Sequence, residues 1–135
     1  MKLSLGVCIL FMLGGATASA SETVTSGLYY FGHEVESFHP CGSKKEYWVD
    51  GPENVLAPLR ARANRLRTKE QPYPPIYVHF VGHVGDKDTP GGFAKDYDAV
   101  YHAVSVRSVY KKIPSHCRPA NPPVHTDSAP AALRR

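Results

Sequence analysis

The strongest periodic signal in the chain runs from Ile76 to Val84, where side chains alternate between two faces. Ile76, Val78, Phe80 and Val84 fall on one, and Tyr77, His79, Val81 and His83 on the other. A period of two marks a strand with unlike faces. After a polar stretch, Gly85 to Asp98, that contains Pro90-Gly91-Gly92, the segment Ala99–Tyr110 (AVYHAVSVRSVY) resumes a β-branched and aromatic pattern. The two segments predict an antiparallel pair joined by a long loop.

Nearer the N-terminus, Gly27–Phe38 (GLYYFGHEVESF) predicts one long first strand, kinked at Gly32, where a strand can bulge or bend. The PCGSK run from Pro40 to Lys44 predicts a turn and Lys45–Val49 (KEYWV) a second strand, so the two strands form a hairpin. Beyond Asp50-Gly51-Pro52 the period changes. Leu56, Leu59, Ala63 and Leu66 recur at spacings of three and four, the stripe of an amphipathic helix with Asn54 as its cap. Pro58 fits such a helix only within its first turn, and Pro72, Pro74 and Pro75 end it. Four or five strands, one helix inserted before the strand at Ile76 and no βαβ alternation predict a mainly β fold: a small OB-like barrel capped by a helix.

Residues 1–20 read as a secretory signal peptide. Lys2 precedes the apolar stretch Leu3 to Leu13, and Ala18-Ser19-Ala20 has the small side chains that precede cleavage. Cleavage after Ala20 makes the protein periplasmic or secreted. Cys8 follows Val7 with only a few apolar residues upstream, which does not make a lipid-anchoring site. No apolar run after Ala20 approaches the roughly 20 residues of a membrane-spanning helix. Removing the leader leaves 115 of the 135 residues, the size of one domain, and lowers the formal net charge from +4 to +3. Such a mild excess does not indicate a nucleic-acid partner. The expected organisation is a short segment over 21–26, the OB-fold domain over 27–117 and a disordered proline-rich tail over 118–135 (RPANPPVHTDSAPAALRR after Cys117).

Processing also leaves two cysteines, Cys41 and Cys117. In an oxidising compartment an even count fits a structural bridge, here across 76 residues. The rival reading places two thiolates on a metal ion. That needs a close Cys-x-x-Cys pair or histidines at ligand spacing, and neither cysteine has them nearby.

Other candidate chemistry is sparser. Arg60, Arg62, Arg65 and Arg67 lie on the helix with no acid among them, a face that could attract phosphate or anionic head groups or could simply be solvated. His79 and His83 share a strand face but stand about 13 Å apart along an extended chain, so a metal site would need help from another strand, with His33 and His102 as candidates. Glu34 and Glu36 alternate on one face and read as solvated acids. Tyr29, Phe31, Tyr47, Trp48, Tyr77 and Tyr101 either fill the core or form the stacking platform of an OB barrel. The stretch from Asp86 begins like a calcium loop but has Pro90 and Tyr97 where ligands are required. Nucleophile-elbow, phosphate-loop and zinc-protease motifs are missing, so the sequence implies neither an enzyme nor a cofactor.

An aromatic strand leading into Phe38-His39-Pro40-Cys41, then Lys45 and Trp48, a helix through Leu59 and Leu66, a strand ending at Gly82-His83, and a terminal Cys117 form a recognisable series. Across about Gly27 to Cys117 the chain resembles the C-terminal OB-fold domain of the NlpE envelope lipoproteins. The resemblance implies a compact barrel in which Cys41 and Cys117 form an intradomain disulfide. In NlpE that bond is tied to monitoring of periplasmic disulfide formation, with the signal passing to an envelope-stress histidine kinase system, and the family is associated with copper tolerance. Two NlpE features, a lipidated N-terminus and a preceding barrel domain with a Cys-x-x-Cys pair, are not expected here. The sequence therefore predicts an exported, non-enzymatic OB-fold module with an envelope protein as partner. The alternatives are a periplasmic copper binder using barrel histidines, and an oligosaccharide or nucleic-acid binder.

Overall fold

A computed structural model describes residues 21–87 and 92–118. The leader expected over 1–20 and all of the tail expected over 118–135 except Arg118 lie outside the described residues, as do 88–91 in the calcium-like stretch. The described chain forms β1 (Thr23–Gly32), β2 (Val35–Pro40), β3 (Tyr47–Asp50), α1 (Glu53–Leu66), β4 (Ile76–Gly85) and β5 (Ala99–Tyr110), with single 3-10 turns at Ala94–Asp96 and Ser115–Cys117. The strands close into a ring in the order β1-β2-β3-β5-β4. β3 and β5 run parallel and every other neighbouring pair antiparallel. With the helix between β3 and β4, this is the mainly β, OB-like barrel that the order of sequence signals predicts.

Its first hairpin corrects the sequence reading. The single kinked strand expected over Gly27–Phe38 is two strands, because the chain reverses at His33–Glu34 and Gly32 pairs with Val35. Glu34 takes φ 57°, the left-handed region that glycine enters most easily, so the reversal falls just past the glycine expected to bend the strand. β1 also starts earlier than expected. Thr23 to Ser26 pair with Gly82 to His79 of β4 and help to close the ring.

β3 pairs with β2 through Ser37↔Trp48 and Phe38↔Tyr47, as the predicted hairpin requires, after a turn in which Gly42 takes φ 73°. Lys45 and Glu46 fall outside the strand and are held by Asp98 instead. The Asp98 carboxylate accepts the Glu46 N–H at 2.9 Å and the Lys45 ammonium at 3.4 Å, and the Asp98 N–H donates to the Glu46 carbonyl at 2.9 Å. The Glu46 N–H, and after it Lys45, lower the pKa of the Asp98 carboxyl below the usual aspartate range. A carboxyl depressed in the folded state contributes stability above its unfolded pKa and loses it as pH falls through the folded value. Asp98→Asn is therefore expected to lower the urea midpoint at neutral pH, with the gap from the parent protein closing in acid. A gap that stays constant with pH would contradict this assignment.

Alternation divides the apolar side chains between two cores. Tyr29, Phe38, Val49, Ile76, Val78, Phe80, Tyr101 and Ala103 point into the barrel from all five strands, and α1 closes one end with Leu56, Leu59 and Ala63. Edge-on aromatic contacts knit this interior, Phe38 on Phe80 at 5.1 Å and Tyr29 on Phe80 at 6.0 Å between ring centres. The helical stripe stops one residue short of expectation, because Leu66 is 47% exposed. Its start differs too: Pro52 occupies the N-cap, and Asn54 lies within the first turn. Pro58 is the sixth helical residue, beyond the first turn; it removes the bond to the Asn54 carbonyl while Leu56 and Leu59 on either side anchor the helix in the core.

The opposite face of β1 supplies a second cluster outside the barrel. Leu28, Tyr30 and Val35 pack with Tyr77 and Cys117, flanked by Cys41, Tyr73 and Ile113. Cys41, one residue past β2, is bonded to Cys117 with their Cα atoms 4.4 Å apart. That bond holds the segment after β5 across the outer face of the first hairpin, where Leu28 is fully buried. The two cysteines thus form a disulfide, which belongs to an oxidising compartment.

Candidate functional site

The arginines of α1 were candidates for anion binding, and three of the four are engaged within the chain. The Arg60 guanidinium donates to both oxygens of Glu36, at 2.9 and 2.8 Å, and to Glu53 at 2.6 Å, with its charge 5.7 Å from the centre of the Phe31 ring. Glu36 is buried, contrary to the expectation of a solvated acid, and it also accepts a hydrogen bond from the Tyr29 hydroxyl at 2.7 Å. Burial first, and then the carboxylate, push the Tyr29 phenol far above its usual range, while the hydrogen bond to Glu36 raises Arg60 further. Arg62 donates to the Tyr110 carbonyl and Arg67 to the Phe31 carbonyl. Arg65 is exposed in the last turn. Helix and barrel are joined by these contacts.

The cations of the described chain that line an open cleft are elsewhere. Lys111, Lys112 and Arg118 surround an apolar floor of Leu28, Pro75 and Ile113 in a cleft of about 640 Å³ beside the disulfide. None of the three makes an ion pair among the described residues. Sequence reasoning missed them because they follow β5 without periodicity.

The four candidate histidines do not gather at one point, and only His83 and His102 are neighbours. His33 sits in the exposed β1–β2 turn, 3.8 Å from Glu34. His79 lies on the outer face of β4 with its Nε2 3.0 Å from the Tyr77 hydroxyl and its ring against Tyr110. His83 and His102 are direct partners across β4 and β5, with ring centres 5.1 Å apart. Among the described residues no group of three or more His, Cys, Asp or Glu side chains is arranged to hold a metal ion.

Most of the candidate aromatics belong to the two cores: Tyr29, Tyr77 and Tyr101 are buried, and Phe31 and Tyr47 pack against the interior. Trp48 differs. Its neighbours Tyr47 and Val49 face inward, so the indole stands on the outer surface of β3, where the β4–β5 loop folds over it. Phe93 stacks on it at 5.8 Å and 21° between planes, and Tyr97 leans against it at 5.6 Å. Phe93 is 47% exposed. Burial, with Glu46 next, pushes both Tyr97 and Tyr30 up to about 12, so both phenols stay protonated hydrogen-bond donors at neutral pH. Glu46 itself keeps one buried carboxylate oxygen without a hydrogen-bond partner among the described residues.

No family model, no curated protein and no solved structure matches this chain. The site therefore has to be read from its own geometry. A half-exposed aromatic pair, carried on the parallel β3–β5 ladder with the Tyr97 ring against it, can stack on a planar group or cover an apolar side chain. The sequence sets Trp48 among six strand aromatics that either fill the core or form a platform, and it gives no reason to place Phe93 on it, since loop residues carry no period.

Proposed function

We propose that this chain is an exported, non-catalytic binding module of the cell envelope, an OB-like domain comparable to the C-terminal domain of the NlpE lipoproteins, whose partner is another envelope protein. The observation that carries the reading is the exposed Phe93–Trp48 stack on β3 beneath the β4–β5 loop. OB barrels take their ligands on the strand 2–3 face and its loops. The disulfide supports export, and the barrel order and the positions of Cys41 and Cys117 support the comparison with NlpE. A nucleic-acid ligand is disfavoured because three of the four helix arginines are already occupied by this chain's own acceptors.

Trp48 is the chain's one tryptophan, so its emission reports on this face alone. Titration with an extended apolar peptide is expected to shift or quench that emission. Phe93→Ala should weaken the peptide's affinity at least tenfold while the far-UV circular dichroism is unchanged. A response to oligosaccharide or single-stranded oligonucleotide, with none to peptide, would replace the protein partner by that ligand.

A further inference from the structure

We infer that His83 and His102 form a two-histidine chelating site for a borderline divalent cation, zinc, nickel or copper(II), on the outer face of β4 and β5, with Asp50 on β3 as its positioning residue. The three residues lie in one row across three neighbouring strands: His83 pairs with His102 on one side, and Asp50 with His102 on the other. The Asp50 carboxylate lies 3.4 Å from His102 Nδ1. That contact orients the imidazole with Nδ1 toward β3 and leaves Nε2 for β4. The ring reaches that far because residue 85 is glycine: a Cβ there would stand 2.6 Å from His102 Nε2. His83 sits on the same face two residues earlier, and its Nδ1 is buried with no hydrogen-bond partner among the described residues.

The spacing suits a shared ion. Two imidazoles bound to one tetrahedral ion through nitrogens at about 2.0–2.1 Å have ring centres about 5 Å apart, and these rings are separated by 5.1 Å. A carboxylate beside the second ring nitrogen of a ligating histidine is the usual outer support of such sites, and Asp50 at 3.4 Å stands where it can take that part once the ring is held by an ion. Two protein ligands leave the remaining positions to water or a partner's side chain. Imidazole ligands select zinc, nickel or copper(II) over calcium and magnesium, which take oxygen. His33 and His79 take no part. One lies in the exposed turn and the other is tied to Tyr77 and Tyr110.

The test is calorimetric titration of the full chain with zinc chloride, alongside imidazole NMR spectra of the unaltered protein. One ion per chain is expected, with the His83 and His102 ring signals moving first. His83→Ala and His102→Ala should each weaken binding at least tenfold, and Asp50→Asn about tenfold. His33→Ala, His79→Ala, His116→Ala and His125→Ala should leave it within about twofold, and metal-free melting curves of all variants should stay near that of the parent. Absence of saturable binding, signals moving first at other histidines, or retention of binding in the His83→Ala/His102→Ala double variant would overturn the site.

Discussion

Replacing Cys41 by serine is expected to lower the melting temperature by on the order of 10–20 °C. The bond closes a loop across 76 residues, and the chain-entropy model gives about 4.5 kcal/mol for a loop of that length, an upper figure because unfolded chains are not ideal coils. Measured bridges typically contribute about 2–4 kcal/mol, and a domain of this size loses about 4–8 °C per kcal/mol. The change should also be local. Without the bond nothing covalent holds Ile113 and Cys117 over Leu28 and Tyr30, so the variant should bind a hydrophobic dye before its global transition. Cys117→Ser should behave identically, and the double variant should be no worse than either single one, since all three remove the same crosslink. A melting curve unchanged by either substitution would mean that the segment after β5 is held by its packing alone.

Arg60→Ala is the second large effect. Its guanidinium is the partner of a carboxylate whose side chain is only 9% exposed, and removing one half of a buried pair leaves the other half charged and desolvated. The expected loss is about 3 kcal/mol, at the low end for buried pairs because Arg60 itself reaches solvent. Restoring neutrality should recover most of it. In the Arg60→Ala background, Glu36→Gln removes the uncompensated charge and keeps an acceptor for the Tyr29 hydroxyl. Arg60→Lys should recover little, since an ammonium cannot serve both Glu36 oxygens and Glu53 in the same fork. Chemical denaturation of the four proteins at neutral pH checks the order. If Arg60→Ala proved as stable as the parent, the link between α1 and the first hairpin would have to reside in the apolar contacts of Leu56 and Leu59.

Much of this architecture can be read from side-chain period. The β4 alternation is visible because one face meets the packed interior and the other does not, and the stripe of α1 is visible for the same reason up to Ala63. Leu66, the last residue of α1, breaks the pattern because it is 47% exposed and does not join the core that Leu56, Leu59 and Ala63 enter. The reversal at His33–Glu34 left no mark. Neither residue is a favoured turn former, and Gly32 beside them drew the bend to itself. The outer core was also hidden, since the segment that covers it, KKIPSHC, carries a single large aliphatic residue and owes its position to a bond 76 residues away. Non-local pairs escape a sequence reading altogether. The sequence places Arg60 on a face that either attracts anions or is solvated and Glu36 among solvated acids, and each is the other's partner across 24 residues. The Phe93–Trp48 stack was equally beyond local pattern, because a loop residue supplies one half of it, and Asp50 joins the His83–His102 pair only through the parallel ladder that sets β3 against β5.

The most direct test of the account is a non-reducing peptide map of the chain recovered from outside the cytoplasm, with free thiols alkylated at the moment of lysis. A peptide carrying Cys41 joined to one carrying Cys117 is expected, with no alkylated form of either. Recovery of both cysteines as alkylated thiols from the exported protein would contradict it.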